Sequence, residues 1–339
     1  MDGGLLSPPS GGGALESRRW HRQVVSAFDL DQVFANMPKW QIEHEILSRP
    51  QAASSCATLL LDEVGVASNR LGGRVRATGS TPAGQFALGL DIACPPGRQF
   101  GGRSLERNDV LFGYSGAELD YLHPAGFNDL NMILPGALLR ESLQERLGEP
   151  VELARFQTAR VGDAGLHTRP DLWRLFGSLA AMLHGESPMP HQAAALDLLR
   201  AEILDAVGSL VGSYLESGGD QPVWHHRRPV ALRAAEFMRA NLGEAMTLAD
   251  ICAAARASER TVEYAFRDLY GVGAKRYLKI LRLHRVRRQL RGLAPEAIVI
   301  QAIAQDAGFW HMGHFTADYR RLFGETPTAT LRQRFGRAL

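Results

Sequence analysis

Cysteine is scarce in this sequence, with only Cys56, Cys94 and Cys252 among 339 residues. So few, and an odd number, argue against a disulfide framework and fit a reducing compartment. Long apolar runs are missing as well: no stretch reaches the ~18 consecutive apolar residues that a membrane-spanning helix needs. Residues 1 to 20 are rich in Gly, Pro and Ser, are expected to lack stable structure, and contain no positively charged segment leading into an apolar one. Neither export nor membrane insertion is indicated, and the cytoplasm is the expected location. Histidines do not cluster either. His44, His123, His167, His184 and His191 are scattered without an H-x-H spacing, so no metal, cofactor or catalytic residue is expected.

What is present is an uneven distribution of charge. The whole chain carries a net +2, but residues 222 to 339 hold 20 Lys and Arg against 10 Asp and Glu, which leaves 18 against 26 before them, hence +10 and −8. A basic module joined to an acidic one suggests nucleic-acid binding by the second half and regulation or assembly by the first.

The basic half contains one construction twice. Leu248, Ile251, Cys252 and Ala255 recur as Ile300, Ile303, Ala304 and Ala307 at an offset of 52, and Val262, Phe266 and Gly271 recur as Phe315, Tyr319 and Gly324 at an offset of 53. One extra residue therefore sits in the second turn. Each copy, 247 to 271 and 299 to 324, reads as a short helix, a tight turn and a second helix closed by Gly, that is, a helix-turn-helix. Thr247 with Asp250 resembles a capping box, and Ser258 suits the N-cap of a helix over Glu259 to Tyr270. Val299 stands where Thr247 does and cannot cap, so the second unit is expected to be the less stable alone.

Between the copies, Ala274 to Arg291 lacks Gly and Pro and is about 27 Å long as a helix. Leu278, Leu281, Val286 and Leu290 can face a core, while Lys275, Arg276, Lys279, Arg282, Arg285, Arg287, Arg288 and Arg291 make the surface positive. No acidic residue occurs from Tyr270 to Pro295, unlike an ordinary solvated face, which mixes signs. Such a rod can place two recognition helices near one turn of B-DNA apart, about 34 Å, in successive major grooves.

Ile303, Ala304, Gly308, Phe309, Phe315, Tyr319, Phe323, Gly324, Thr326 and Pro327 together resemble the C-terminal signature of the AraC/XylS family of bacterial transcription regulators. The resemblance covers roughly residues 229 to 335 and implies a seven-helix, all-α domain that binds asymmetric DNA sites through two helix-turn-helix units. Two departures stand out: Gly271-Val272-Gly273 where the family often has Gly-x-Ser-Pro, and Gly313, expected to lie within the second turn and loosen it. A related DNA-binding fold is found fused to alkyl-transfer repair proteins, which need a reactive Cys. Cys252, on an apolar helix face beside Ile251, reads instead as core, and no enzyme is expected.

Upstream, Trp40 to Leu47, Ala57 to Ala67, Gly84 to Ile92, Val110 to Tyr114, Glu118 to Leu122 and Asn131 to Leu134 are strand candidates broken by Gly, Pro and Asn. They favour a small antiparallel barrel or sandwich, and the family resemblance implies a cupin-like effector-binding barrel. Helices are expected at Ala137 to Leu147, Asp171 to His184 and Gln192 to Tyr214. The expected fold is thus α+β in two domains: a regulatory or dimerisation domain over 21 to 215, β-rich over 40 to 134 and helical over 135 to 215, then a linker over 216 to 228 and a DNA-binding domain over 229 to 335. The apolar stripe Leu196, Leu199, Ile203 and Val207 either packs on its own barrel or, as the resemblance implies, pairs across a homodimer axis.

The expected function is sequence-specific transcription control, with double-stranded DNA as partner, activation as its sense, and a small-molecule effector and RNA polymerase as further candidate partners. Arg260, Thr261, Glu263 and Tyr264 are the exposed base-reading candidates of the first unit, Arg260 suited to guanine and Glu263 to cytosine. In the second unit the family's base-contacting positions map onto His311, Met312, His314, Thr316 and Ala317. Arg267, Arg282, Arg285 and Arg320 are the phosphate candidates, and Trp310 either covers the turn or approaches the DNA, with core packing over the turn the favoured reading. The rival readings are a DNA-architectural protein of low sequence specificity without an effector, and an interaction module that DNA binding merely addresses.

Overall fold

The computed structural model describes residues 20–34, 41–93, 95–218, 225–292 and 300–335. The expected N-terminal segment through residue 19, Trp40, Cys94, residues 219–224 of the linker and Val299 lie outside them.

Twelve strands, four α-helices and two short 3-10 helices occupy the described part of residues 20–218. In chain order they are β1 (Trp20–Ala27), α1 (Leu30–Phe34), β2 (Gln41–Ile46), β3 (Ser54–Leu61), β4 (Val64–Leu71), β5 (Val75–Ser80), β6 (Gln85–Ala93), β7 (Gln99–Phe100), β8 (Arg103–Ser104), β9 (Asp109–Tyr114), β10 (Glu118–His123), β11 (Phe127–Pro135), α2 (Gly136–Leu147), β12 (Arg160–Asp163), α3 (Pro170–His184) and α4 (Ala193–Glu216). The expected single run Ala57 to Ala67 is two strands joined by a hairpin at Asp62 and Glu63, where Asp62 takes a positive φ of 49°. Asp tolerates that conformation better than most residues and so turns the chain inside an otherwise continuous apolar run.

The strands form two open antiparallel sheets. One has the order β1-β3-β4-β11-β6-β9-β12, the other β2-β5-β10-β7-β8. The expected barrel is therefore not closed, because β1 and β12 end as opposite edges of the larger sheet. Ala77, Phe100, Leu119 and Tyr121 of the smaller sheet meet Leu111 and Val161 of the larger one between the two. The outer face of the larger sheet, with Leu59, Val66, Leu88, Leu130 and Met132, is covered by α2, α3 and α4. Leu196, Leu199, Ile203 and Val207 all belong to this core, so the α4 stripe is spent within its own chain rather than offered to a second copy. Periodicity alone could not separate those two readings; Leu198, 67% exposed, lies off the stripe.

Helices α5 (Arg228–Ala240), α6 (Leu248–Ala255), α7 (Glu259–Tyr270), α8 (Ala274–Gly292), α9 (Ile300–Asp306), α10 (Met312–Phe323) and α11 (Pro327–Phe335) follow. Local chemistry sets their ends. Thr247 Oγ1 accepts from the Asp250 amide at 3.2 Å while Asp250 Oδ2 accepts from the Thr247 amide at 2.8 Å, a complete capping box for α6. Ser258 Oγ caps α7 through the Thr261 amide at 3.2 Å. Gly271 and Gly324 close α7 and α10 with φ of 65° and 78°. The two turns use left-handed residues at equivalent places, Arg256 in the first and Gly308 in the second. His311, the N-cap of α10, makes no side-chain capping bond, and Gly313 lies inside α10 rather than in the turn.

The core of these seven helices does not stop at the expected domain boundary. Leu30, Ile46, Leu47, Leu71, Val75, Leu122 and Phe127 from the N-terminal region are buried in the same cluster as Phe266, Tyr277, Leu281, Val286 and Phe323. Each such side chain contributes about 1.5–3 kcal/mol of gross transfer free energy, against ~1 kcal/mol net for a typical hydrogen bond. Apolar burial therefore holds the halves together, and the polar contacts fix their register. Among these, Asp120 is shared by Arg76 at 2.9 Å and Arg228 at 3.2 Å, Arg74 donates to the Gly271 carbonyl at 3.1 Å, and His284 Nε2 donates to the Ile46 carbonyl at 2.9 Å.

Candidate nucleic-acid interface

The second helix of each unit, α7 and α10, buries one face and presents the other. On α7, Val262, Ala265, Phe266, Leu269 and Tyr270 are buried, which leaves Arg260, Tyr264 and Arg267 exposed on the opposite side. Tyr264 is flanked by two guanidinium groups, Arg260 at 5.5 Å and Arg227 at 5.3 Å from the ring centre. Arg227 itself is ion-paired to Asp268 at 2.8 Å. The chain entering α5 thus lies against the first recognition helix, which helical periodicity alone could not reveal.

Two first-unit candidates have other partners. Thr261 is half-buried and its Oγ1 lies 2.9 Å from Ser258 Oγ, within the N-cap. Glu263 is engaged inside the fold: Oε2 accepts from the Ala274 amide at 3.2 Å and Oε1 from Arg267 Nε at 3.1 Å. It caps the start of α8, where Gly273 offers no side chain in place of the family's Ser. The expected cytosine contact is corrected accordingly, since a carboxylate that satisfies a helix N-terminus is not free to read a base.

On α10, Phe315, Tyr319, Leu322 and Phe323 are buried, while His311, His314, Thr316, Ala317 and Arg320 are exposed and Met312 is half-buried. The ring centres of His311 and His314 are 6.1 Å apart. Trp310, immediately before this helix, is 74% exposed, which corrects its core-packing reading: Phe309, its ring tilted against Phe315 at 5.1 Å between centres, covers the turn instead.

The basic helix is less uniformly presented than its composition suggests. Lys275, Arg276, Lys279 and Arg288 are exposed, and Lys279 pairs with Asp318 at 2.9 Å. Arg287 is buried, bound to Glu325 at 3.2 Å and Asp29 at 3.4 Å and lying over the Phe323 ring at 4.4 Å. Arg291 is also paired to Asp29. Arg282, whose pKa is lowered by burial, donates to the Glu244 carbonyl at 3.1 Å and fills the space beside Gly308. It ties the first unit's approach to the second unit's turn, which corrects its reading as a free phosphate contact. Arg285 lies against Gly243 and is half-buried. Arg267 and Arg320 remain on the surface, Arg267 paired to Glu263 at 3.0 Å.

No group of three His, Cys, Asp or Glu side chains able to hold a metal occurs among the described residues. The fold does bring His44 and His123 to one small cavity of about 40 Å³ with Tyr121 and Asp129, a convergence hidden by their distance in sequence. Burial pushes the His44 pKa down to about 4 and the Asp129 pKa up to about 6. The Cys252 thiol pKa is raised by burial and by Glu259, opposite to what a nucleophile needs. No helix of the described residues is long and apolar enough to cross a membrane.

A family model described as a helix-turn-helix domain matches residues 251–333. The XylDLEGF operon transcriptional activator of Pseudomonas putida is 30% identical over 136 residues, 40% of this chain and 40% of that protein. The transcriptional activator NphR of Rhodococcus sp is 31% identical over 207 residues, 60% of this chain and 56% of that protein. A solved structure of a probable AraC family transcriptional regulator from Rhodopseudomonas palustris CGA009 is 30% identical; the match covers 31% of this chain and 96% of that one, with a TM-score of 0.29. The chain spans about two fifths of the length of the first curated relatives it matches.

Proposed function

The chain belongs to the AraC/XylS family of transcriptional regulators, and from that premise we propose that it is a sequence-specific activator that lays α7 and α10 into two successive major grooves. The carrying observation is the exposed face that each of these helices presents on an otherwise buried scaffold, with Arg260 on one and His311, His314 and Thr316 on the other. Arg260 is the guanine reader, Tyr264 supports it, and Met312 and Ala317 give apolar contact. Arg267, Arg285 and Arg320 hold phosphates.

In this proposal residues 21 to 215 form the regulatory domain and residues 229 to 335 the DNA-binding domain. A largely apolar groove of about 250 Å³, with Leu60, Ala67, Ile133, Thr58, Asn131 and His21 in its wall, receives a small apolar effector. The protein acts as a homodimer, joined by a surface other than the buried α4 stripe, and engages RNA polymerase; its sense is activation, the role that the names of its relatives print. Selection of duplexes from random DNA by the full-length protein, followed by footprinting, tests the reading. Two enriched blocks about one helical turn apart are expected. No enriched sequence, together with steep salt dependence, would favour the architectural protein instead.

A further inference from the structure

We infer that Arg49, a residue of the N-terminal region, completes the DNA-binding surface of the second helix-turn-helix unit as a phosphate contact. This rests on the proposed DNA reading. Arg49 lies in the connection between β2 and β3, yet it shares one open groove with Met312, Thr316, Ala317 and Arg320, residues of the outward face of α10. Its guanidinium stem reaches the end of that helix, with Nε 3.5 Å from where a Cβ on Gly324 would lie.

The segment carrying Arg49 is held on both sides. Leu47 is buried among the C-terminal helices and its amide donates to the Arg74 carbonyl at 2.9 Å. Ser48 Oγ accepts from the Arg74 amide at 2.9 Å, and the Gln51 amide donates to the Gly72 carbonyl at 2.8 Å. On the other side His284 of α8 holds the Ile46 carbonyl. Arg49 itself is exposed, and it has no hydrogen-bond or ion-pair partner among the described residues. A fixed backbone with an unspent cation at its tip suits binding to a polyanion, because little order has to be created on contact.

The electrostatic need is local. From Met312 to Asp318, α10 has no Lys or Arg. Of the two arginines that follow, Arg321 is drawn to Asp318 at 3.0 Å, which leaves Arg320 as the helix's own uncommitted guanidinium. Arg49 supplies a second one beside it, from the part of the chain whose net charge is negative. The competing structural role is capping of the α10 C-terminus, where a cation is also favourable.

The test compares the full-length wild type, Arg49→Ala and Arg49→Lys on the duplex selected by the wild type, with Kd measured across a salt series and thermal unfolding measured in parallel. Arg49→Ala is expected to weaken binding about tenfold near 0.1 M salt, to shallow the slope of log K against log salt by about 0.9, and to leave base preference unchanged. Arg49→Lys should keep most of the slope. An unchanged slope with a lowered unfolding temperature would assign Arg49 to helix capping and overturn the inference. Tighter binding by Arg49→Ala would mean that the N-terminal region shields this surface, and would overturn it too. A wild type that selects no duplex would instead bring down the DNA reading on which the inference rests.

Discussion

The hydroxyl of Tyr277, on the basic helix α8, donates to Oε2 of Glu45 on strand β2 at 2.7 Å and accepts from Arg239 at 2.6 Å. Tyr277 is fully buried, and burial raises its hydroxyl pKa well above the ordinary 10. One phenol therefore joins the N-terminal sheet to two helices of the DNA-binding half, inside a core that both halves build.

Removing that hydroxyl should register in both halves at once. Tyr277→Phe keeps the ring packed but leaves Glu45 and Arg239 each short of a partner, at an expected cost of about 1–3 kcal/mol. Because the cluster around Tyr277 is continuous, a sheet-based probe and a helix-based probe should shift together in urea titrations. Two separated transitions, with only one moving, would show that the halves unfold independently.

Glu263 yields a prediction that separates fold from reading. If its carboxylate chiefly caps α8 through the Ala274 amide, Glu263→Ala should destabilise the protein by about 1 kcal/mol and leave the selected DNA sequence unaltered. A changed preference at one base pair, with no loss of stability, would restore the cytosine contact that the sequence suggests.

Stability should fall on the acid side of neutrality. Burial lowers the pKa of His284, His123 and His44 below the ordinary 6.5, the last to about 4. In the unfolded chain these rings bind protons near pH 6.5, while the folded chain resists them. Their contribution is present above that pH and is lost as pH falls toward 4. Asp129, raised to about 6, takes up a proton in the folded state and offsets part of the loss. Allowing for screening of the part-exposed His44 and His284, urea midpoints should report a decline of about 1–3 kcal/mol per pH unit below 6.5. His284→Gln, which retains a donor for the Ile46 carbonyl, should flatten the decline; equal or greater stability at pH 5 would sink the assignment.

The parts of this molecule legible in its sequence are those decided within a few residues. The repeat, its single inserted residue, the Thr247 and Ser258 caps and the terminal Gly271 and Gly324 are local chemistry, and the structure carries each of them. The hairpin at Asp62 was hidden because Leu59 to Ala67 is apolar on both sides of a two-residue turn. Arg287 and Arg291 counted as surface charge because their partner, Asp29, lies at the opposite end of the chain. Glu263 is exposed by helical periodicity, and only the fold brings the start of α8 back against it. Arg49 bears no motif at all; its position beside α10 follows from how the β2–β3 connection is pinned.

Trp310 gives the last prediction. A side chain that is 74% exposed contributes little to the core, so Trp310→Ala should change stability by less than about 0.5 kcal/mol. It stands directly before His311, at the end of α10 that enters the groove in a helix-turn-helix complex. A large, rigid aromatic at such an edge contributes through contact area, so binding by the full-length protein should weaken by about 1–2 kcal/mol. The salt slope should stay as it was, because no charge is removed. That combination distinguishes Trp310 from Arg49, whose loss should change the slope. Unchanged affinity would leave the indole without a part in DNA binding, and a marked loss of stability would return it to the core.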